Sequence, residues 1–219
     1  MPCSGCRCEG IARQFDARTA AADLERFRRH GPDRTTRLLI ERIRTALAQT
    51  SVRDGTLLDV GGGVGVIHHE MLERDIRDAI HVDLASTQLA MARQETERRG
   101  HSPRVHFIEG DFVDVADSIH SADLVTLDRV ICCYPDMETL VERSASKAKW
   151  VYGAVFPRHA WWVRLVIGVE NAFRRLKRSA FQTYVHRSSA IDAVLHEHGL
   201  RLFDRERTFV WEIVVYRRP

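Results

Sequence analysis

The chain has 219 residues, with 33 basic against 30 acidic side chains and a formal charge of +3. That length suits one large domain with a substantial core and is short for two, and so balanced a charge gives no ground for a nucleic-acid partner. No run of about 18 apolar residues and no basic-apolar leader is present, so neither a membrane span nor a secretory signal is expected, and a cytoplasmic setting is the default.

Residues 1–10 carry no periodicity and are expected to form a flexible terminus holding Cys3, Cys6 and Cys8. Three close thiols resemble part of a metal site, but a closed zinc site wants four ligands, so no metal is expected. Cys132 and Cys133 are adjacent and poorly placed to bridge each other, which favours reduced thiols.

Residues 11–50 predict two helices. Phe15, Ala22, Leu24 and Phe27 form one apolar side before Gly31-Pro32, and Asp33 caps a second helix in which Leu39, Ile43 and Leu47 recur every four residues. From there strand and helix alternate. Thr56–Val60 is the first strand and Val66 to about Arg74 the first crossover helix. Ile80–Leu84 is the second strand, and Ser86 caps a helix running to Arg99. Val105–Glu109 and Leu124–Leu127 are the third and fourth strands. Pro135-Asp136 opens a helix to about Lys147, and Trp150–Phe156 is the fifth strand. Ser188 or Ser189 starts the last helix, stopped by Gly199, and residues 200–207 and 208–216 read as a hairpin. Such a series implies a doubly wound α/β domain over residues 51–219, interrupted by an insertion at 157–187 with helical apolar spacing at Trp162, Leu165 or Val166, Val169, Phe173 and Leu176.

The stretch from Thr56 to Ile67 organises the rest. An apolar run ends in an acid, glycines follow at 61, 62, 63 and 65, and apolar residues resume, which describes a buried strand turning tightly into a helix. Glycine there permits positive φ and close ligand approach, beside the free N–H groups of a helix start. A Walker loop would end in Gly-Lys-Ser or Gly-Lys-Thr, whereas Val66 and Ile67 follow Gly65. The dinucleotide pattern G-x-G-x-x-G fails too, because its last position falls on Val66 or His68. The pattern that fits is D-x-G-x-G-x-G, from Asp59, Gly61, Gly63 and Gly65. Asp83, at the end of the second strand, can accept both ribose hydroxyls of an adenosine cofactor. Asp111 and Phe112 after the third strand suit a neutral purine, one as acceptor and the other as ring contact.

Asp59, Gly61, Gly63 and Gly65, with Glu109-Gly110-Asp111-Phe112, resemble motifs of the class I S-adenosylmethionine (SAM) dependent methyltransferases of small-molecule type. The resemblance implies a Rossmann-like seven-stranded sheet with one reversed strand, over about Thr56 to Tyr216. It implies that the glycine loop wraps the amino-acid end of SAM, that Asp59 helps hold the ammonium directly or through water, and that Asp111 takes the adenine amino group. The segment Leu127–Asp136, including Asp128, would lie beside the methionine and the acceptor, and there the chain is loosely similar to quinone and magnesium-porphyrin O-methyltransferases. Family members often place an acid or His where Cys132 and Cys133 stand. The Asn/Asp-Pro-Pro-Tyr/Phe motif of amino-methylating nucleic-acid and protein-glutamine enzymes is missing, which argues against those substrates.

The sulfonium methyl is already activated, so alignment of the acceptor carries most of the catalysis. Where a proton must leave, His68 or His69, Tyr134 and His159 are the candidates to receive it, and Arg129 is a candidate for steering an anionic acceptor. The insertion, with Trp161, Trp162, Arg174, Arg175, Lys177 and Arg178, is expected to join the N-terminal helices in capping the acceptor pocket. A membrane-surface contact through residues 159–178 is the rival use. The sequence therefore predicts methyl transfer from SAM to a small aromatic or apolar molecule. The alternatives are an NAD-dependent oxidoreductase and a non-catalytic SAM-binding regulatory protein.

Overall fold

In the computed structural model, residue 10 and residues 14–219 are described. Cys3, Cys6 and Cys8 lie outside the described residues, as does Ile11, where the first helix is expected to begin. The two N-terminal helices are each set by a capping acid. Asp16 accepts from the Thr19 N–H at 2.8 Å and starts α1 (Ala17–His30), which Gly31 ends at φ 70°. Asp33 accepts from the N–H groups of Thr35 and Thr36 at 2.9 and 3.0 Å and starts α2 (Arg34–Leu47).

The sheet follows: β1 (Gly55–Val60), α3 (Val66–Leu72), β2 (Ile76–Asp83), α4 (Ser86–Arg98), β3 (Val105–Glu109), the short α5 (Phe112–Val115) and β4 (Ala122–Asp128). Then come α6 (Met137–Lys147), β5 (Ala148–Pro157), α7 (Trp161–Leu176), α8 (Ser188–Glu197), β6 (Arg201–Arg207) and β7 (Trp211–Arg217). Strand order is β3-β2-β1-β4-β5-β7-β6, with β7 antiparallel to both β5 and β6 and the other pairs parallel. This is the expected Rossmann-like methyltransferase sheet. The order reverses between β1 and β4, so their carboxyl ends flank the crevice where such sheets hold ligands.

Successive strand residues bury opposite faces, which splits the core in two. Leu57, Leu124 and Val151 pack with Leu39 and Ile43 of α2 and Ile67 of α3, while Leu58, Val125 and Tyr152 pack with Leu140 of α6 and Ile191 of α8. The contact of α2 is close: a Cβ on Gly153 of β5 would lie 2.8 Å from Ile43.

Several element bounds differ from the sequence reading. β2 begins at Ile76 rather than Ile80, because Arg77 and Asp78 occupy its more exposed first half, where polar residues hide a strand. α3 ends at Leu72, and Ser86 is not a cap: Ala85 holds that place, and its N–H donates to Asp83 at 2.8 Å. On α7 the expected apolar stripe faces outward, and the residues that anchor the helix are Val163 and Ile167. Among the described residues no helix is long and apolar enough to cross a membrane.

Candidate functional site

β1 runs into Gly61-Gly62-Gly63-Val64-Gly65, and three of these glycines hold positive φ: 61° at Gly61, 57° at Gly63 and 88° at Gly65. Their roles differ. A Cβ on Gly61 would lie 2.5 Å from Val130 Cγ2, and one on Gly65 would lie 2.3 Å from His68 Cε1, so both positions are closed by the protein itself. A Cβ on Gly63 meets only Gln88 Oε1, at 3.7 Å, so this glycine presents bare backbone to open space.

Asp83 at the tip of β2 holds the loop in place. Its carboxylate accepts from the Gly63 N–H at 2.9 Å and from the Ala85 N–H at 2.8 Å. Burial pushes its pKa up to about 6, against the lowering effect of those two bonds.

Beneath the loop lies a sealed polar layer. Asp59 is buried, and its Oδ1 accepts from the Thr126 hydroxyl at 2.8 Å while Oδ2 sits 3.7 Å from His68 Nδ1. His68 Nδ1 and His81 Nδ1 are 3.0 Å apart, and burial pushes both imidazoles down to about pKa 3. Neutral rings share one hydrogen bond here, one nitrogen donating and the other accepting. Burial raises the Asp59 carboxyl. His81 and Thr126 partner two of the expected site residues, although neither is marked by a motif.

After β3, Asp111 caps α5 by accepting from the Val113 N–H at 3.0 Å, and the Tyr134 hydroxyl donates to it at 2.9 Å. Phe112 is buried beside it. At the end of β4, Asp128 accepts from Arg129 Nε at 3.0 Å and from the Thr36 hydroxyl at 2.6 Å. Arg129 also reaches Asp33 Oδ2 at 2.7 Å and Thr36 Oγ1 at 2.9 Å. It does so from a left-handed backbone, φ 61°, that costs a non-glycine residue about 1 kcal/mol. Burial opposes the guanidinium charge, but Asp128 and Asp33 outweigh it and hold its pKa above the usual value, while burial raises Asp128. Arg129 thus ties the cap of α2 to the sheet edge.

These strand tips open on a cavity of about 690 Å³. Asp59, Gly61, Gly63, Asp83, Asp111, Phe112, Asp128, Arg129 and Tyr134 all line it. Gly65, His68 and His159 do not: His68 lies under the loop, and His159 is exposed on the turn after β5. Cys132 and Cys133 also line the cavity, and the Cys132 thiol donates to the Arg129 carbonyl at 3.2 Å. Hydrogen bonding to Cys133 and burial raise its pKa well above the usual value, so it stays a neutral thiol.

The far wall comes from helices. Phe15 and Phe27 reach it from the N-terminal segment and Trp162, Val166 and Ile167 from α7, with Phe209 from the β6–β7 turn and Trp211 from the start of β7. The N-terminal segment and the insertion meet there, the Phe15 and Phe181 rings standing edge to face at 6.0 Å. Phe209 and Trp211 were not legible as site residues, although a reversed β7 necessarily begins at the ligand edge.

A crevice at the sheet's reversal point, with an acid at each of four strand tips and a glycine loop across it, is where Rossmann-like sheets hold their ligands. Residues 58–148 match the family model described as a methyltransferase domain. Magnesium protoporphyrin IX methyltransferase from Synechocystis PCC 6803 with bound S-adenosylhomocysteine (SAH) aligns with a TM-score of 0.70 at 15% identity, over 95% of this chain and 98% of that one. An S-adenosylmethionine-dependent methyltransferase from Clostridium acetobutylicum ATCC 824 gives 0.66 at 11% identity, over 90% and 97%. An O-methyltransferase family protein from Burkholderia thailandensis gives 0.65 at 18% identity, over 94% and 61%. No curated protein matches the sequence. Over residues 58–148 the chain thus resembles the methyltransferase domain family, and over most of its length it shares the fold of these enzymes.

Proposed function

We propose that the protein methylates a small, neutral, apolar or aromatic molecule, with SAM along the strand tips and the acceptor between α1, α2 and α7. The observation that carries this reading is the division of one cavity into an acid-lined sheet edge and an apolar helical wall. SAM supplies an activated methyl group suited to direct backside transfer, so the protein's work is chiefly binding, orientation and water exclusion.

In this reading the backbone at Gly63 gives the closest approach, and the Asp83 carboxylate accepts the ribose hydroxyls with the lone pairs its two N–H partners leave over. Asp111 faces the adenine amino group and Phe112 packs beside the ring. Asp59 Oδ2 is buried below the loop, so its pull on the cofactor ammonium acts across the glycine backbone rather than by contact.

Arg129 is already compensated by two carboxylates, which favours a neutral acceptor over an anionic one. Tyr134 is the cavity-lining candidate for relaying a proton, taking one from the acceptor as its own hydroxyl proton passes to the Asp111 carboxylate, since His68 and His159 lie elsewhere.

Magnesium protoporphyrin IX, the molecule named for the Synechocystis relative, is one large flat apolar acceptor to include in a panel with phenols, quinols and hydrophobic carboxylates. SAH release with neutral ring hydroxyls is the expected result. Binding of SAM with no transfer across the panel would favour a regulatory SAM-binding role.

A further inference from the structure

α7 is amphipathic in an unusual direction. Trp161, Leu165, Val169, Phe173 and Leu176 advance by three or four residues and so share one face, and that face points to solvent. Their exposures are 75%, 60%, 60%, 61% and 80%. Phe209, 76% exposed, extends the patch from the β6–β7 turn by stacking on Trp162 at 4.1 Å between ring centres. Solvated proteins seldom leave so continuous a stripe of large apolar side chains uncovered.

The border of the stripe identifies what covers it. Helical spacing sets Arg164 and Arg175 along one edge and Lys177 along the other, with Arg178 at the helix end, and all four are exposed. Lys177 Nζ lies 5.4 Å from the centre of the Phe173 ring, a cation resting on the apolar face. The one acid of the helix, Glu170, is engaged by Arg174 at 3.4 Å. In a symmetric pairing of two copies through this face the cationic edges would meet one another, whereas anionic headgroups would neutralise them.

We propose that this face of α7 seats on an anionic lipid bilayer surface, its apolar side chains in the headgroup–acyl boundary and its cations among the headgroups. The helix also forms part of the cavity rim. Trp162, Val166 and Phe209 belong both to the cavity wall and to the border of the exposed patch, so the mouth opens beside the docked surface. A corollary, which rests on the methyltransferase reading, is that the acceptor is a lipophilic molecule drawn from the bilayer.

Flotation of the purified full chain with vesicles tests the docking without any substrate. The protein is expected to rise with vesicles of phosphatidylcholine mixed with phosphatidylglycerol, to rise several-fold less with phosphatidylcholine alone, and to be released in part by high salt. The double variant Leu165→Glu/Leu176→Glu alters two exposed positions outside the cavity, so it should stay folded, keep its SAH affinity and remain at the bottom of the gradient. Failure of the wild type to float overturns the proposal. So does a wild type that sediments as a dimer which the double variant dissociates, because a second copy would then cover the face. SAH binding, measured separately by calorimetry, stands or falls independently of flotation.

Discussion

The two ends of the cavity are built by different means. At the proposed cofactor end, Asp59, Asp83, Asp111 and Asp128 stand at the tips of adjacent parallel strands, and all four accept backbone or hydroxyl hydrogen bonds. At the other end, Phe15, Phe27, Trp162 and Ile167 project from helices outside the sheet. The first end follows from sheet topology and depends on backbone geometry. The second is a decoration whose side chains can change without disturbing the sheet, and on the proposed function it is where acceptor choice would reside.

Changes at the two ends should therefore separate. The largest effect is expected from Gly63→Val. Its side chain enters the space where the cofactor approaches, so SAH affinity should fall by at least about a hundredfold, about 2.7 kcal/mol, while the positive φ costs about 1 kcal/mol of stability. Calorimetry and thermal melting read the two quantities apart. Arg129→Met comes next: it leaves Asp128 partly buried without its cation and cuts the tie to α2, for a loss of about 2 kcal/mol in denaturant unfolding. SAH affinity should change less than stability in that variant.

Asp83→Asn should weaken SAH by about tenfold, as expected for a hydrogen bond to a charged group. The ionised carboxylate is the better acceptor, and burial sets its pKa at about 6. Wild-type SAH affinity should accordingly fall as pH drops below about 6 and level off about tenfold weaker, and the Asn variant should lose that dependence.

The buried histidines act on stability in the same pH range. His68 and His81 titrate near 3 in the folded chain against an ordinary value of 6.5, so the unfolded state binds protons that the folded state refuses. Stability is then lost as pH falls from about 6.5, while the raised carboxyls of Asp59, Asp83 and Asp128 act in the contrary direction. Melting temperature against pH checks this, and His68→Gln should flatten the curve. The smallest effect belongs to the helical wall: Trp162→Ala should raise the acceptor KM several-fold with SAH affinity unchanged.

What the sequence discloses follows the same division. The glycine loop, Asp83 and Asp111 were legible because strand ends, glycines and acids fall at fixed offsets along the chain. The pairing of His68 with His81 was not, since it joins α3 to β2 beneath the sheet and no spacing encodes that contact. In the sequence Arg129 is a candidate for steering an anionic acceptor, and only the fold brings Asp33 to it from ninety-six residues upstream. For α7, periodicity revealed that the helix has an apolar stripe but could not say which way it points, and the stripe proved to face solvent.

On the proposed function the strand tips and the bare backbone at Gly63 bind an adenosyl amino acid. Calorimetric titration of SAH into the wild type and into folded Gly63→Val tests it most directly. One-to-one binding by the wild type, lost in the variant and not reproduced by NAD, is the predicted result. A wild type that ignores SAH, or a folded variant that binds it as well, would mean that the strand tips do not hold the cofactor.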